Sequence, residues 1–352
     1  MYRSSIFSFE HFAGFQPRFP ATLLAVAAAI AVLELGVRLI PDERLIPARS
    51  RQGEIGFMER EVLPRFPAPQ VVLLGSSRVR RAVVPRLLDE QLNLPPNSTL
   101  NVGLASGRVY EALYLYERNR AQFKAARLVI LNVDEWHLSS GWRLGSLYET
   151  RAPWAERLRM GERLRNRFIL DGIFSMRLRL RMVPAALSSW FRPRRADVLD
   201  LRLDENNQVL PPTREGRPSD AEPSRFHEKV EAFYDHFEVS PVLAGHVEQL
   251  ARLVREDGGT FVIMQLPNRS AYQAEVQKTH SKEYAAHIVA LRALAQRLNT
   301  PLYILDQPAG CGLTDASYED YGHMNPEGAR VFTAWLSDLI TRAGWLGSPP
   351  TK

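Results

Sequence analysis

Five short apolar runs, each followed by a polar or amphipathic stretch, constrain the fold of this chain more than any other feature. They lie at residues 71–74, 99–102, 127–131, 260–265 and 301–305, and each has the length of a strand. Helical periodicity follows at 109–124, 241–256, 282–297 and 326–343. Strand and helix in repeated alternation predict an α/β fold with a parallel sheet of about five strands and helices on both of its faces. In such sheets the working residues gather beyond the carboxyl ends of the strands.

The repeat is interrupted once at length, between about 139 and 240. The first half of this insertion sets Arg157, Arg163 and Arg167 among Trp154, Leu158, Leu164, Phe168 and Phe174, which reads as basic amphipathic helix broken at Gly172 and Pro184. Such a face would serve as a lid or docking surface, or simply be solvated. The second half, 204–223, is polar and rich in proline, as a surface loop would be. At 352 residues and 40.0 kDa, one core with an insertion is simpler than two small domains.

The formal net charge is +6 with a pI near 9.5, and the excess is mostly arginine. Nucleic acid, anionic lipid or an acidic glycan could each answer that charge. Nucleic acid is set aside, because the chain has no zinc-ligand spacing, no aromatic RNA-binding signature and no helix-turn-helix pattern. A single cysteine, Cys311, excludes an intramolecular disulfide and a cysteine-rich metal site. Neither metal nor cofactor is expected.

Near the N-terminus, ATLLAVAAAIAVL carries no charge, and with Glu34 and Arg38 tolerated the apolar stretch extends over 19–40. At ~1.5 Å per residue this is roughly 33 Å, about one bilayer core, so a transmembrane helix is expected. A cleaved signal peptide is the alternative, but the apolar run continues past the small residues at 27–31. The expected organisation is a segment 1–40 with a single anchor, a basic connector over 41–69, and a catalytic domain over 70–345. Arg38, Arg44, Arg49 and Arg51 outnumber Arg3 and Arg18 around the span, which by itself favours a cytoplasmic main domain.

Two patterns carry chemistry. In VVLLGSSRVRR an apolar run ends at Gly75-Ser76-Ser77 before a helix-compatible stretch, which places a serine at a tight turn where backbone N–H groups favour developing negative charge. Such a serine is commonly only a helix cap. In DYGHMNPEGARVF, Asp320 and His323 are three residues apart before the final helix. A carboxylate at that spacing can accept the imidazole Nδ1–H, leaving Nε2 to face a serine.

Together, at opposite ends of an α/β chain, the Gly-x-Ser block and the Asp-x-x-His block followed by Asn325-Pro326-Glu327-Gly328 resemble the SGNH (GDSL-like) hydrolase superfamily. The resemblance covers about 71–339 without the insertion. It implies a flavodoxin-like three-layer sandwich, with Ser77 as nucleophile, His323 as base and Asp320 as its orienting carboxylate. It also implies an oxyanion hole from the N–H of Ser77 and from the stretch after the second strand, where Gly103, Ser106 and Gly107 are candidates. The third block departs from the superfamily's Gly-x-Asn-Asp, reading Leu131-Asn132-Val133-Asp134-Glu135-Trp136-His137. Either backbone N–H groups suffice, or Asn132 turns inward, or one carboxyl of Asp134 and Glu135 is protonated. His137 is a rival base, or else a packing or surface histidine.

The GSS block, the single span and the acidic-Trp third block look more like the membrane-anchored proteins of D-alanyl transfer to teichoic acid and of alginate O-acetylation. That likeness implies an O-acyltransferase or esterase at the inner membrane with an extracytoplasmic catalytic domain, against the charge count. The acyl group, acetyl by expectation, would pass through acyl-Ser77 to or from a polysaccharide. Membrane lipid and a multi-spanning membrane-bound O-acyltransferase would be its neighbours. A catalytically silent scaffold that binds glycan or a partner is the alternative, motivated by the acidic third block.

Overall fold

The computed structural model describes residues 21–39, 54–140, 202–203, 209–210, 222–234 and 236–347. Strands β1 (Val71–Ser76), β2 (Thr99–Leu104), β3 (Leu128–Asn132), β4 (Thr260–Gln265) and β5 (Leu302–Ile304) form one sheet, parallel throughout. Its order, β2-β1-β3-β4-β5, is that of the flavodoxin-like arrangement, and chain direction across the sheet reverses beside β1. Gly75 of β1 is in register with Gly103 of β2, and Leu74 with Leu131 of β3, so the ends of these three strands lie side by side.

Among the described residues, the α-helices longer than four residues are α1 (Ala21–Leu39), α2 (Ser77–Ala82), α3 (Pro85–Gln91), α4 (Val109–Arg118), α5 (Phe226–Tyr234), α6 (Pro241–Glu256), α7 (Ser270–Thr279), α8 (Ser281–Leu298) and α9 (Pro326–Ala343). Period-two alternation divides each strand between two cores. Val72, Leu74, Val102, Val129 and Leu131 face α4, α6 and α8. Val71, Leu73, Leu128, Ile130 and Val262 face α2, α3 and α9. With helices on both sides, β1 has no exposed position, which is why it reads as an unbroken apolar run. Burying each of its Val and Leu side chains stabilises by about 1.5–3 kcal/mol.

A third, aromatic cluster lies beyond the carboxyl ends of the strands and brings α5, the last part of the insertion, onto the core. Trp136 stacks on Phe233 at 4.5 Å between ring centroids, and Tyr321 sits 5.7 Å from Phe233 and 4.9 Å from Tyr272. Arg157, Arg163, Arg167 and their apolar neighbours lie outside the described residues.

Two expectations change at the N-terminal side. Phe57, Met58, Val62, Leu63 and Phe66 are buried in the core that faces α4 and α6, so the folded domain takes in residues from Glu54 onward rather than from 70. The 22-residue transmembrane helix expected over 19–40 is not found, because no helix among the described residues is long and apolar enough to cross a membrane. The helix that forms, α1, has 19 residues, roughly 28 Å at ~1.5 Å each, with Glu34 and Arg38 in its second half.

Candidate active site

β1 ends in a turn that only glycine fits. Gly75 has φ +142°, and a Cβ there would lie 2.7 Å from Asn132 Cβ. The turn delivers two serines to different surroundings. Ser76 is 1% exposed and caps α2, its hydroxyl accepting from the Arg78 N–H at 3.2 Å while lying 2.9 Å from Asp134 Oδ2 and 3.2 Å from Asn132 Oδ1. Ser77, half-buried, opens the helix, where its N–H has no acceptor within the helix.

Ser77 Oγ lies 2.8 Å from His323 Nε2, and His323 Nδ1 lies 2.7 Å from Asp320 Oδ2. With the second contact to a carboxylate, the ring carries its proton on Nδ1 and accepts from the serine at Nε2. Asp320 Oδ1 accepts from the N–H groups of Gly322 at 3.0 Å and His323 at 2.8 Å. Burial works against the Asp320 charge, yet these hydrogen bonds and the neighbouring imidazole hold its carboxyl well below the usual aspartate range. Local pairing shapes the loop, with Tyr318 bridged antiparallel to Met324 and the Glu319 N–H donating to His323 O at 2.9 Å. Asn325 and Pro326 then start α9, the Asn325 side chain accepting from the Gly328 N–H at 2.9 Å. Gly328 packs against the preceding turn, where a Cβ would fall 2.2 Å from Ser317 O.

The third block builds the floor beneath this chain of hydrogen bonds. Asn132 donates to Asp134 Oδ1 at 3.0 Å, so its amide is committed to its own block. Asp134 is fully buried and receives Arg78 Nη1 at 2.6 Å. Glu135 accepts from Asn268 at 2.8 Å and lies 3.6 Å from Arg78 Nη1, its other oxygen unbonded among the described residues. Burial pushes the Glu135 carboxyl up, aided by Asp134 and opposed by Arg78. His137 is fully buried, accepting from the Asp134 N–H at 2.7 Å and donating from Nε2 to Gly107 O at 2.8 Å. Burial pushes it down to about 4. Of its two readings, packing histidine is the one this geometry supports.

Among the glycines after β2, Gly103 donates to Asn101 Oδ1 at 3.1 Å and Gly107 to Leu104 O at 3.0 Å, so both N–H groups are occupied. Their missing side chains matter more. A Cβ on Gly103 would lie 2.6 Å from Ser76 O, and one on Gly107 2.7 Å from Gly75 O. Ser106 is exposed with φ +56°, and its N–H makes no hydrogen bond among the described residues.

Sequence reading passed over Arg78, which looks like one more cation in a basic run. It is 1% exposed, and besides Asp134 it donates to Leu266 O at 3.0 Å, Pro267 O at 2.9 Å and Gly322 O at 3.3 Å. One guanidinium thus joins the residue after the serine to the third block, to the loop after β4 and to the histidine loop. Burial opposes its charge, but Asp134 and Glu135 raise its pKa. Asn268 and Tyr321, whose ring is 6.1 Å from that of His323, were likewise unmarked. Their long-range partners leave no local pattern.

Comparison with protein-family models and with curated proteins finds no match. Among solved structures, the chain is similar to a protein assigned as an acylhydrolase from Bacteroides fragilis, at 12% identity and a TM-score of 0.39 over 81% of this chain and 96% of that one. It is similar to a GDSL-like lipase from Bacteroides thetaiotaomicron at 11% identity and a TM-score of 0.39, over 82% and 98%. It is similar to an acetyl xylan esterase at 10% identity and a TM-score of 0.36, over 77% and 98%.

Proposed function

We propose that this protein is a serine hydrolase or acyltransferase that moves an acyl group through Ser77. The observation that carries the reading is the continuous hydrogen-bonded chain from Ser77 Oγ through His323 to Asp320, at 2.8 and 2.7 Å. His323 takes the Ser77 proton as Oγ attacks an ester carbonyl, and Asp320, kept ionised, stabilises the imidazolium that results. The N–H groups of Ser77 and Ser106 receive the oxyanion. Collapse expels the alcohol, which takes the proton from His323 and leaves acyl-Ser77. Water or a sugar hydroxyl then attacks that ester, with His323 as base again.

The finer reading is acyl transfer to, or removal from, a cell-surface polysaccharide at the inner membrane, beside a multi-spanning membrane-bound O-acyltransferase. Its support is the sequence likeness of the GSS and acidic-Trp blocks, together with α1, which leaves Leu23, Leu24, Val32, Leu33 and Leu35 exposed. These exposed apolar side chains give α1 a face that suits lipid.

A fluorophosphonate that reacts only with an activated serine tests the chemistry. Wild type should label and should hydrolyse an activated acetyl ester, and Ser77→Ala should do neither. Ser76→Ala should keep a substantial part of both. Absence of labelling in folded wild type would favour the scaffold reading, whose support is that the amide of Asn132 is engaged away from the oxyanion.

A further inference from the structure

Among the described residues between α1 and β1, Glu54 is the one charged side chain sent into the core. Glu54 is 1% exposed, and its two oxygens serve different elements. Oε1 pairs with the guanidinium of Arg80 on α2, itself 4% exposed. Oε2 accepts from the Ala105 N–H at 2.7 Å. α2 begins with Ser77, and Ala105 directly precedes Ser106. The two N–H groups assigned to the oxyanion therefore belong to elements clasped by a single buried carboxylate.

The surroundings give this clasp a geometric task. At Gly103, α2 and β2 approach so closely that a Cβ would lie 2.6 Å from Ser76 O and 2.7 Å from Arg80 N. Past Leu104 the strand pairing stops, and Ser106 takes a left-handed conformation that a serine rarely holds unaided. The Ala105 N–H lies one residue before that bend, and Glu54 holds it. A buried ion pair is an expensive way to obtain stability alone, since apolar packing commonly serves as well. Its advantage here is direction, because each oxygen aims one backbone segment.

We infer that Glu54 is a positioning residue for the oxyanion hole, setting the Ser106 N–H against the Ser77 N–H through Ala105 and Arg80. The inference rests on the serine-hydrolase reading above.

The test uses the full chain with Glu54→Gln, which ends the charge pairing with Arg80, and Glu54→Asp, which keeps the charge but shortens the reach to Ala105 by one methylene. Fluorophosphonate labelling gives two numbers: the end-point counts competent sites, and the rate reads the hole, because the phosphonyl oxygen occupies it. Both variants should label Ser77 about tenfold more slowly, with kcat per competent site falling in proportion and KM within about twofold, less than the loss of a whole donor. A merely structural role would lower the end-point and leave the rate and kcat per site at wild-type values, and that result overturns the proposal. Should Glu54→Gln not fold, Glu54→Asp decides by the same criterion. Wild type that fails to label would remove the serine-hydrolase reading itself. Wild type that labels beside variants equally fast removes only the role of Glu54.

Discussion

Ser76 and Ser77 are adjacent and chemically identical, yet one is a buried cap and the other holds its Oγ 2.8 Å from His323 Nε2. The same contrast holds for the arginines of this stretch, where Arg78 is sealed among carboxylates and carbonyls while Arg81 pairs with Glu319 near the surface. Removing Arg78 would strand Asp134, fully buried, without its counter-charge. Arg78→Met should therefore destabilise the protein by about 3–5 kcal/mol, the cost of breaking a buried pair from one side. A urea denaturation midpoint checks this. Adding Asp134→Asn should recover part of the loss, and no recovery would show that the carbonyl contacts, not the charge pair, set the role of Arg78.

At the scale of elements, the site depends on how closely α2 lies on the strand ends. Two glycines permit the approach from different sides, Gly75 by its backbone conformation and Gly103 by its missing side chain. Gly103→Ala would drive a methyl group into Ser76 O and Arg80 N, backbone atoms that cannot turn aside. The expected outcome is a loss of about 1–3 kcal/mol in stability from overpacking. Because α2 must move as a unit, ester hydrolysis should drop on the order of 10²-fold, as for a 1 Å misplacement. A folded Gly103→Ala with wild-type kcat would show that α2 can shift without moving Ser77.

For the molecule as a whole, buried carboxyls with opposite shifts make stability depend on pH. Burial pushes Asp89, beneath the turn before β2, up to about 6, above the ~4 of an unfolded aspartate. Between those values the native chain keeps a proton that the unfolded chain has released, so stability falls as pH rises through the window and levels off above it. Asp320 has the opposite sign. Its contribution is full above the ordinary aspartate range and is lost as pH falls toward its lower folded value. Asp89→Asn keeps an acceptor for the Ser98 N–H, which wild type bonds at 3.1 Å. The unfolding free energy of this variant, measured between pH 4 and 7, should fall with a shallower slope, by up to about one proton. An unchanged slope would mean that Asp89 titrates alike in both states.

What the sequence determined by itself is whatever rests on local periodicity and short motifs. All five strands and the helices at 241–256, 282–297 and 326–343 were legible, because burial on both sheet faces or on one helix face imposes a repeat within a few residues. The Gly-Ser-Ser and Asp-x-x-His blocks were legible because each is a short motif, one at a strand end and helix cap, the other in a single loop. Tertiary structure alone decided that Asn132 turns to Asp134, that His137 is locked between Asp134 and Gly107, and that Glu54 and Arg78 are buried against partners from other elements. The 54–66 segment had the same fate, since its apolar residues fill a groove made by distant helices. Most of these outcomes hang on partners far away in the chain, as Ser77 and His323 are, 246 positions apart. A buried charge or hydrogen bond takes its meaning from the group that folding brings to it, and one-dimensional spacing carries no record of that meeting.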